Sequence, residues 1–384
     1  MSDWPDGWYR PDTGQPGASG PYAAPGGRPG GWPEQPPARE APGGPTRGRP
    51  GPARPVTGRR WRFWGQPGRH GRRIALIAGL VVLILVVALA GSYVYLDGKL
   101  NRSVALPAST VQSAGQNWLI AGSDTRQGLS RQQIDNLHVG FDFGTTNSDS
   151  LMLLHMGGGT PVLISIPRDS YVPIPGHGTN KINAALGFGG PTLLIQTIES
   201  VTGLNINHYM GIGFGGLDSV VNQVGGVRIC LKTALHDSDS GANLPAGCQT
   251  LNGAQALAFV RDRHSFANGD LQREQDQRAF LKALLGKATS PSVYLNPFVA
   301  LPFGSTAAGS ISVDQGTHLY NLISVALALR NPQTGTVPVA DANYVTANAG
   351  DALLWNRGEA LELFSALQND KPAPANLLSG TTVG

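Results

Sequence analysis

Residues 148–176 read SDSLMLLHMGGGTPVLISIPRDSYVPIPG, which is enough to set the fold class. Two apolar runs, Ser150–Met156 and Pro161–Ile166, have strand length and are joined by the glycine triplet at 157–159, which predicts an adjacent strand pair. The second run stops at Pro167, Arg168 and Asp169, so charge begins where the apolar strand ends. On either side, Asn117–Ala121, His208–Ile212 and Val227–Leu231 are also strand-like. Pro191 sits at a first helical position, and Leu193, Leu194, Ile195, Ile198 and Val201 keep helical spacing up to Gly203. Leu217–Val224 is amphipathic, Ala254–Arg261 fits helix or strand, and Gln275–Lys287 is an amphipathic helix. Further helices are expected at Gly316–Leu329 and Asp351–Leu367. Strands alternating with helices predict an α/β fold, a mixed sheet with helices on its faces.

The chain has 384 residues, among them 52 Gly and 29 Pro. Their excess is concentrated in residues 1–73, which hold 15 prolines and carry 12 Arg against 5 acidic residues. Such a segment cannot bury enough apolar surface to offset its ordering entropy, and a disordered tail is expected. The rest of the chain is slightly acidic, so a whole-molecule polyanion binder is excluded, no nucleic-acid partner is expected, and any anion site must be local. Ile74–Leu96 is uncharged throughout; as a helix it is about 35 Å long, enough to cross a ~30 Å hydrocarbon core. Arg59, Arg60, Arg62, Arg69, Arg72 and Arg73 crowd its near side, and only Lys99 and Arg102 follow closely on the far side. This asymmetry predicts a cytoplasmic tail (1–73), one transmembrane helix (74–96) and an extracytoplasmic remainder. Ala88-Leu89-Ala90 offers a small-residue cleavage site, but the apolar stretch runs past it and the preceding region is far too long for a signal peptide, which favours a retained anchor. Outside, the expected divisions are a linker (97–114), a principal domain (115–288) and a C-terminal extension (289–384).

Cys230 and Cys248, 18 positions apart on the oxidising side, are read as a structural disulfide in preference to free thiols or a redox pair. Closing that loop contributes roughly 3 kcal/mol by chain entropy. Several weak motifs are set aside. Gly211-Ile-Gly213-Phe-Gly215-Gly216 satisfies GxGxxG but is expected to be a turn. Asp237-Ser-Asp239-Ser-Gly241 has the start of a calcium loop without its final Glu and is expected to be a solvated loop. No histidine pair has zinc-ligand spacing, and no GxSxG suggests a serine hydrolase.

A recurrent set of charges at the ends of apolar runs carries the chemistry. Asp124 and Arg126 follow the first outer strand, Asp149 precedes the second, and Arg168 and Asp169 end the third. Lys181 follows, Arg261 and Arg263 end another apolar run, and Asp270, Arg273 and Gln277 open the last strong helix. Arginine presents planar forked donors suited to phosphate, and paired carboxylates suit a hard cation such as Mg²⁺, with Mn²⁺ satisfied by the same donors.

The segments SDTR (123–126), SDSLMLLHM (148–156), VLISIPRDSYVPIPG (162–176), KINAAL (181–186), VGGVRICL (224–231), LNGAQALAFVRDRH (251–264) and GDLQREQDQRAFL (269–281) together resemble the LytR–CpsA–Psr family over about residues 115–288. The resemblance implies a three-layer α/β/α domain that holds a polyprenyl pyrophosphate in an apolar groove under the sheet. It implies transfer of a glycopolymer phosphate to peptidoglycan, at the 6-hydroxyl of N-acetylmuramic acid, with pyrophosphatase activity as a related reaction and the membrane as partner. It sets no oligomeric state. Asp124 and Asp149 match the Mg²⁺ positions. Arg168, Arg261 and Arg263 match pyrophosphate-binding arginines, Arg273 and Gln277 match helix-start contacts, and Asp270 matches the acidic residue of the same loop. Arg126 and Lys181 match less distinctively. Asp149, Arg168 and Arg263 are the expected catalytic set.

Two positions depart from the family pattern: Asn147 stands two residues before the metal aspartate, and Asp276 immediately before the helix glutamine, where arginines are usual. Both remove positive charge near the expected phosphates, and they lean toward a second reading, a non-catalytic regulator that retains polyprenyl phosphate. The longer interval between Asp124 and Asp149 implies an inserted loop (about 128–146) at the mouth of the site. Replacing Arg263 by Ala is expected to abolish transfer and leave the fold intact; normal turnover in that variant would refute the pyrophosphate assignment.

Overall fold

A computed structural model describes residues 69–126, 129–140, 148–262 and 269–378. The expected tail therefore lies outside the described residues up to residue 68. Helix α1 (Arg69–Asp97) contains the whole expected span, its side chains from Ile74 to Leu89 are exposed, and it is long and apolar enough to cross a membrane. The chain divides within α1: among the described residues, those through Leu85 belong to one unit and those from Val86 onward to the folded domain.

That domain begins with β1 (Asn101–Val104), β2 (Gln116–Ser123), α2 (Arg131–Asn136), β3 (Ser148–Met156), β4 (Val162–Ile166), β5 (Tyr171–Ile174) and β6 (Gly178–Lys181). Next come α3 (Ala184–Thr202), β7 (His208–Ile212), α4 (Phe214–Gln223), β8 (Val227–Leu231), β9 (Leu235–Asp237), β10 (Ala242–Leu244) and β11 (Gly247–Leu251). The helices α5 (Gly253–Arg261), α6 (Gly269–Ala288), α7 (Pro291–Tyr294) and α8 (Pro297–Ser310) precede β12 (Ile311–Asp314) and α9 (Leu319–Ala328). The chain closes with β13 (Gln333–Thr336), β14 (Val339–Thr346), β15 (Gly350–Trp355) and α10 (Arg357–Gln368).

Seven strands form one mixed sheet in the order β1-β12-β7-β2-β3-β4-β13. Its two faces follow from strand alternation. Leu119, Leu153 and Ile164 point to one face, where Ile195 and Ile198 of α3 and Leu363 and Phe364 of α10 cover them. Trp118, Leu154 and Leu163 point to the other, under Leu281 and Leu285 of α6 and Leu322 and Val325 of α9. The result is the three-layer α/β/α arrangement. Helix α3 is broken at Gly189 and Gly190 and restarts at Pro191; Gly190 has φ +66°, a conformation that favours glycine.

Several expectations change in the structure. Residues 97–114 are more than a linker, because β1 enters the sheet beside β12. Residues 289–378 are built into the sheet rather than appended to it: β12 lies between β1 and β7, and β13 extends the edge next to β4. Asp351–Trp355 is not the start of a helix but strand β15, paired with β14, and the helix begins only at Arg357. The strand at Val227–Leu231 leaves the main sheet to pair with β11, which sets Cys230 opposite Cys248, where they form a disulfide. Asp237–Gly241 is the turn of the β9–β10 hairpin, with Asp237 and Ser240 buried and not solvated. Inside the expected insertion, α2 is a packed element: Ser130 and Gln133 form a capping box, and Ile134, Leu137 and Val139 are buried against Phe214 and Leu257.

At the far end of β12, buried Asp314 ties the sheet together. Its carboxylate accepts from the Tyr209 N–H at 3.1 Å and lies 3.2 Å from His208 Nδ1, while His208 stacks on Trp118. Burial alone would raise this carboxyl; hydrogen bonds from His208, Thr317 and the Tyr209 N–H outweigh it and hold it below the ordinary 3.8. A depressed carboxyl contributes stability above 3.8 that is lost as pH falls through the lower folded value. Asp314→Asn is expected to cost about 1–3 kcal/mol at pH 7 and to flatten the acid decline below pH 4. Thermal unfolding at pH 7, 4 and 3 measures both, and an unaltered acid slope would assign that decline to another group.

Candidate active site

Strand direction gathers the charged residues. Strands β2 and β4 both run antiparallel to β3, and β7 runs parallel to β2. The C-terminal ends of β2, β4 and β7 and the N-terminal end of β3 therefore lie on one edge of the sheet. Asp124 and Arg126 leave β2 there, Arg168 and Asp169 leave β4, and Asp149 enters β3. The register between β2 and β3 shifts at this point: Gly122 faces Ser150, whereas Ser123 faces Ser148. Asp149 is thus, by backbone register, the extra residue of a β-bulge at the end of the ladder. The Ser148 hydroxyl lies 3.3 Å from the Gly122 carbonyl oxygen and donates to it, tying the bulge to β2.

The cations are held by named partners. Arg168 Nε is 3.3 Å from one oxygen of Asp169, and Lys181 Nζ, at the end of β6, is 3.2 Å from the other. Their backbone is fixed below: the Trp355 indole donates to Ser170 Oγ at 2.7 Å, Ser170 Oγ donates to the Pro167 carbonyl, and the Asn183 N–H donates to the Arg168 carbonyl. On the other side, Arg126 Nε donates to the Val139 carbonyl at 2.7 Å and Arg261 Nη1 to the His138 carbonyl at 3.3 Å. The turn after α2 thereby aligns arginines from β2 and α5. The Arg261 guanidinium also lies 5.0 Å above the Phe214 ring.

Gln277 Nε2 donates to the Val260 carbonyl at 3.2 Å, linking α6 to the end of α5. Asp270 and Arg273 fall on the opening turns of α6 by backbone position. Arg263 and Asn147 lie outside the described residues. One residue escaped the sequence reading: Arg278 Nη1 donates to Ser165 Oγ at 2.8 Å and to Thr336 Oγ1 at 3.3 Å, the paired residues near the ends of β4 and β13. Its signal was a charge sharing the spacing of Leu281 and Leu285 on the sheet-facing side of α6.

Beside these charges is a cavity of about 620 Å³, lined by Ser123, Thr125, Tyr209, Gly213, Ser219 and Ser312 among others. The GxGxxG segment borders it, so it is not a bare turn: Gly211 and Ile212 close β7, and Gly213 caps α4. Burial pushes the Tyr209 phenol up to about 12, so it is a neutral hydrogen-bonding group at any physiological pH. Among the described residues no group of three or more His, Cys, Asp or Glu comes together. Asp124 and Asp149 share the edge by backbone position only, and two carboxylates with no His or Cys beside them among the described residues are donors of the type a hard cation takes, rather than zinc or an all-protein calcium cage.

The LytR_cpsA_psr family matches residues 95–331. The probable cell wall biosynthesis protein LcpB of Corynebacterium glutamicum is 45% identical over 304 residues, covering 78% of this chain and 72% of the relative. The polyisoprenyl-teichoic acid–peptidoglycan teichoic acid transferase TagU of Oceanobacillus iheyensis is 34% identical over 245 residues, 60% of this chain and 71% of its own. Of solved structures, a LytR-Csp2A-Psr enzyme from Actinomyces oris shares the fold with a TM-score of 0.55 at 20% identity, over 70% of this chain and 96% of that one. TagT bound to LI-WTA does so with a TM-score of 0.51 at 24% identity, over 70% and 98%. The family match takes in every main-sheet strand except β13 together with the charged edge, and the chain belongs to the LytR–CpsA–Psr family.

Proposed function

We propose that this protein is a membrane-anchored phosphotransferase that moves a glycopolymer phosphate from a polyprenyl pyrophosphate to peptidoglycan, at the 6-hydroxyl of N-acetylmuramic acid. In this reading α1 is a single membrane span, the N-terminal tail is cytoplasmic and the folded domain works outside. The supporting observation is the convergence of Asp124, Arg126, Asp149, Arg168 and Arg261, from four distant segments, on one edge of the sheet.

The guanidinium groups of Arg126, Arg168 and Arg261, with Arg263 and Arg273, would hold the pyrophosphate and spread its charge. Lys181 shares Asp169 with Arg168, so an arriving phosphate exchanges one anion for another at a place already arranged for it. Asp124 and Asp149 would hold Mg²⁺, which supplies neutralisation of the phosphate oxygens and makes phosphorus more electrophilic. The acceptor hydroxyl attacks the phosphorus that bears the glycan, the bond from that phosphorus to the bridging oxygen breaks, and polyprenyl phosphate leaves. The hydroxyl proton passes to the Asp149 carboxylate in this scheme. Arg278, held near the ends of β4 and β13, adds a further cation beside the charged edge.

Purified protein incubated with a short-chain polyprenyl pyrophosphate sugar and an acceptor glycan tests this directly. Release of polyprenyl phosphate is expected with Mg²⁺, to be lost in EDTA and in Asp149→Ala, and to fall about 10²–10³-fold in Arg168→Ala. Tight lipid binding without turnover in either condition would replace the transferase by the regulator reading.

A further inference from the structure

We infer that the outward face of α9 is seated in the surface of the membrane from which α1 emerges, so that Tyr320, Ile323 and Leu327 contact lipid. The inference rests on reading α1 as a membrane span. From Leu319 to Leu329 the sequence LYNLISVALAL carries no charge. Helix α9 is apolar on two sides: Leu322 and Val325 pack into the cluster around Trp118 and Met152, whereas Tyr320, Ile323 and Leu327 are 56%, 51% and 56% exposed. The spacing of these three places them on one side of the helix. A helix with apolar side chains on two sides needs a second apolar environment beside the core.

The junction between α1 and the domain identifies that environment. Asp97, the last residue of α1, accepts the N–H of Leu319, the first residue of α9, at 2.8 Å. The same carboxylate pairs with Arg102 at 2.7 Å, and Arg102 Nε reaches the Thr317 carbonyl at 2.8 Å. Leu96 packs on Gly304 of α8, and Leu100 is buried with Ala308 and Val313. The last turn of α1 is therefore clamped within the domain, and the start of α9 lies beside Asp97, where α1 ends. An aspartate facing the first N–H of α9 also suits the positive end of that helix.

Neighbouring residues have the character of a membrane boundary. Tyr93 and Tyr95 lie in the last turns of α1, with the Lys99 ammonium 5.4 Å from the Tyr95 ring, the arrangement of an interfacial aromatic with a snorkelling cation. A helix of ten residues is only about 15 Å long, so the whole of α9 stays within reach of that boundary.

The test uses the full chain in nanodiscs of phosphatidylcholine and phosphatidylglycerol, with a nitroxide on Ile323→Cys and, as control, on exposed Asn343→Cys of β14. Both native cysteines are in the disulfide and leave the label specific. Co-elution with the nanodisc checks the anchor by itself and does not depend on any catalytic reading. The expected result is relaxation of the Ile323 label by oxygen over a water-soluble nickel chelate, and the reverse at Asn343. Adding Asp97→Ala is expected to raise nickel access at Ile323 by releasing the clamp. Nickel access at Ile323 equal to that at Asn343 would overturn the inference. So would protection from both reagents with dipolar broadening between labels, which would mean a second copy covers α9.

Discussion

A sheet covered by helices on both faces leaves charge nowhere to go but the strand ends. Leu119, Leu153 and Ile164 on one side and Trp118, Leu154 and Leu163 on the other are all nearly inaccessible, and an ionised group among them would need a partner to offset its desolvation. Strand polarity then decides which ends meet. With β3 antiparallel to both its neighbours, Asp124, Asp149 and Arg168 arrive at the same edge although 25 and 19 residues separate them in turn. At a spacing of about 4.8 Å between strands, the three ends span roughly 10 Å.

The edge is held by interactions of two kinds. Arg126 and Arg261 donate to backbone carbonyls of the turn after α2, contacts that orient each guanidinium. Arg168 and Lys181 share the Asp169 carboxylate, which offsets their mutual repulsion. The carbonyl-aimed pair depends on α2, a segment whose packing against Phe214 makes it part of the architecture of the site.

Much of this was legible in the sequence because it is local. The apolar runs at 150–156 and 161–166, the restart at Pro191 and the charge that follows each strand are all written in neighbouring residues, and they appear as β3, β4, α3 and the charged edge. What was not legible depends on contacts between distant segments. Four residues cannot declare themselves a strand, and β1 exists because β12 supplies a partner. Asp351–Trp355 has an apolar pattern compatible with either period, and pairing with β14 settles it as strand. The bulge that makes Asp149 the unpaired residue is a property of two strands in register, invisible in either alone.

The departures at Asn147 and Asp276 take on a different meaning once Arg278 is placed. Residues 276 and 278 are separated by about 200° around a helix, so their charges point to nearly opposite sides. Arg278 shares its side with Leu281 and Leu285, and its guanidinium is delivered to Ser165 and Thr336 at the ends of β4 and β13. Helix α6 therefore keeps a cation directed at the sheet while presenting an acidic residue elsewhere. In the proposed reaction, that cation stands where the apolar face meets the charged edge. Position 276 lacks the arginine of the family pattern while Arg278 supplies a sheet-directed cation two residues on, so positive charge on α6 is redistributed and not simply reduced.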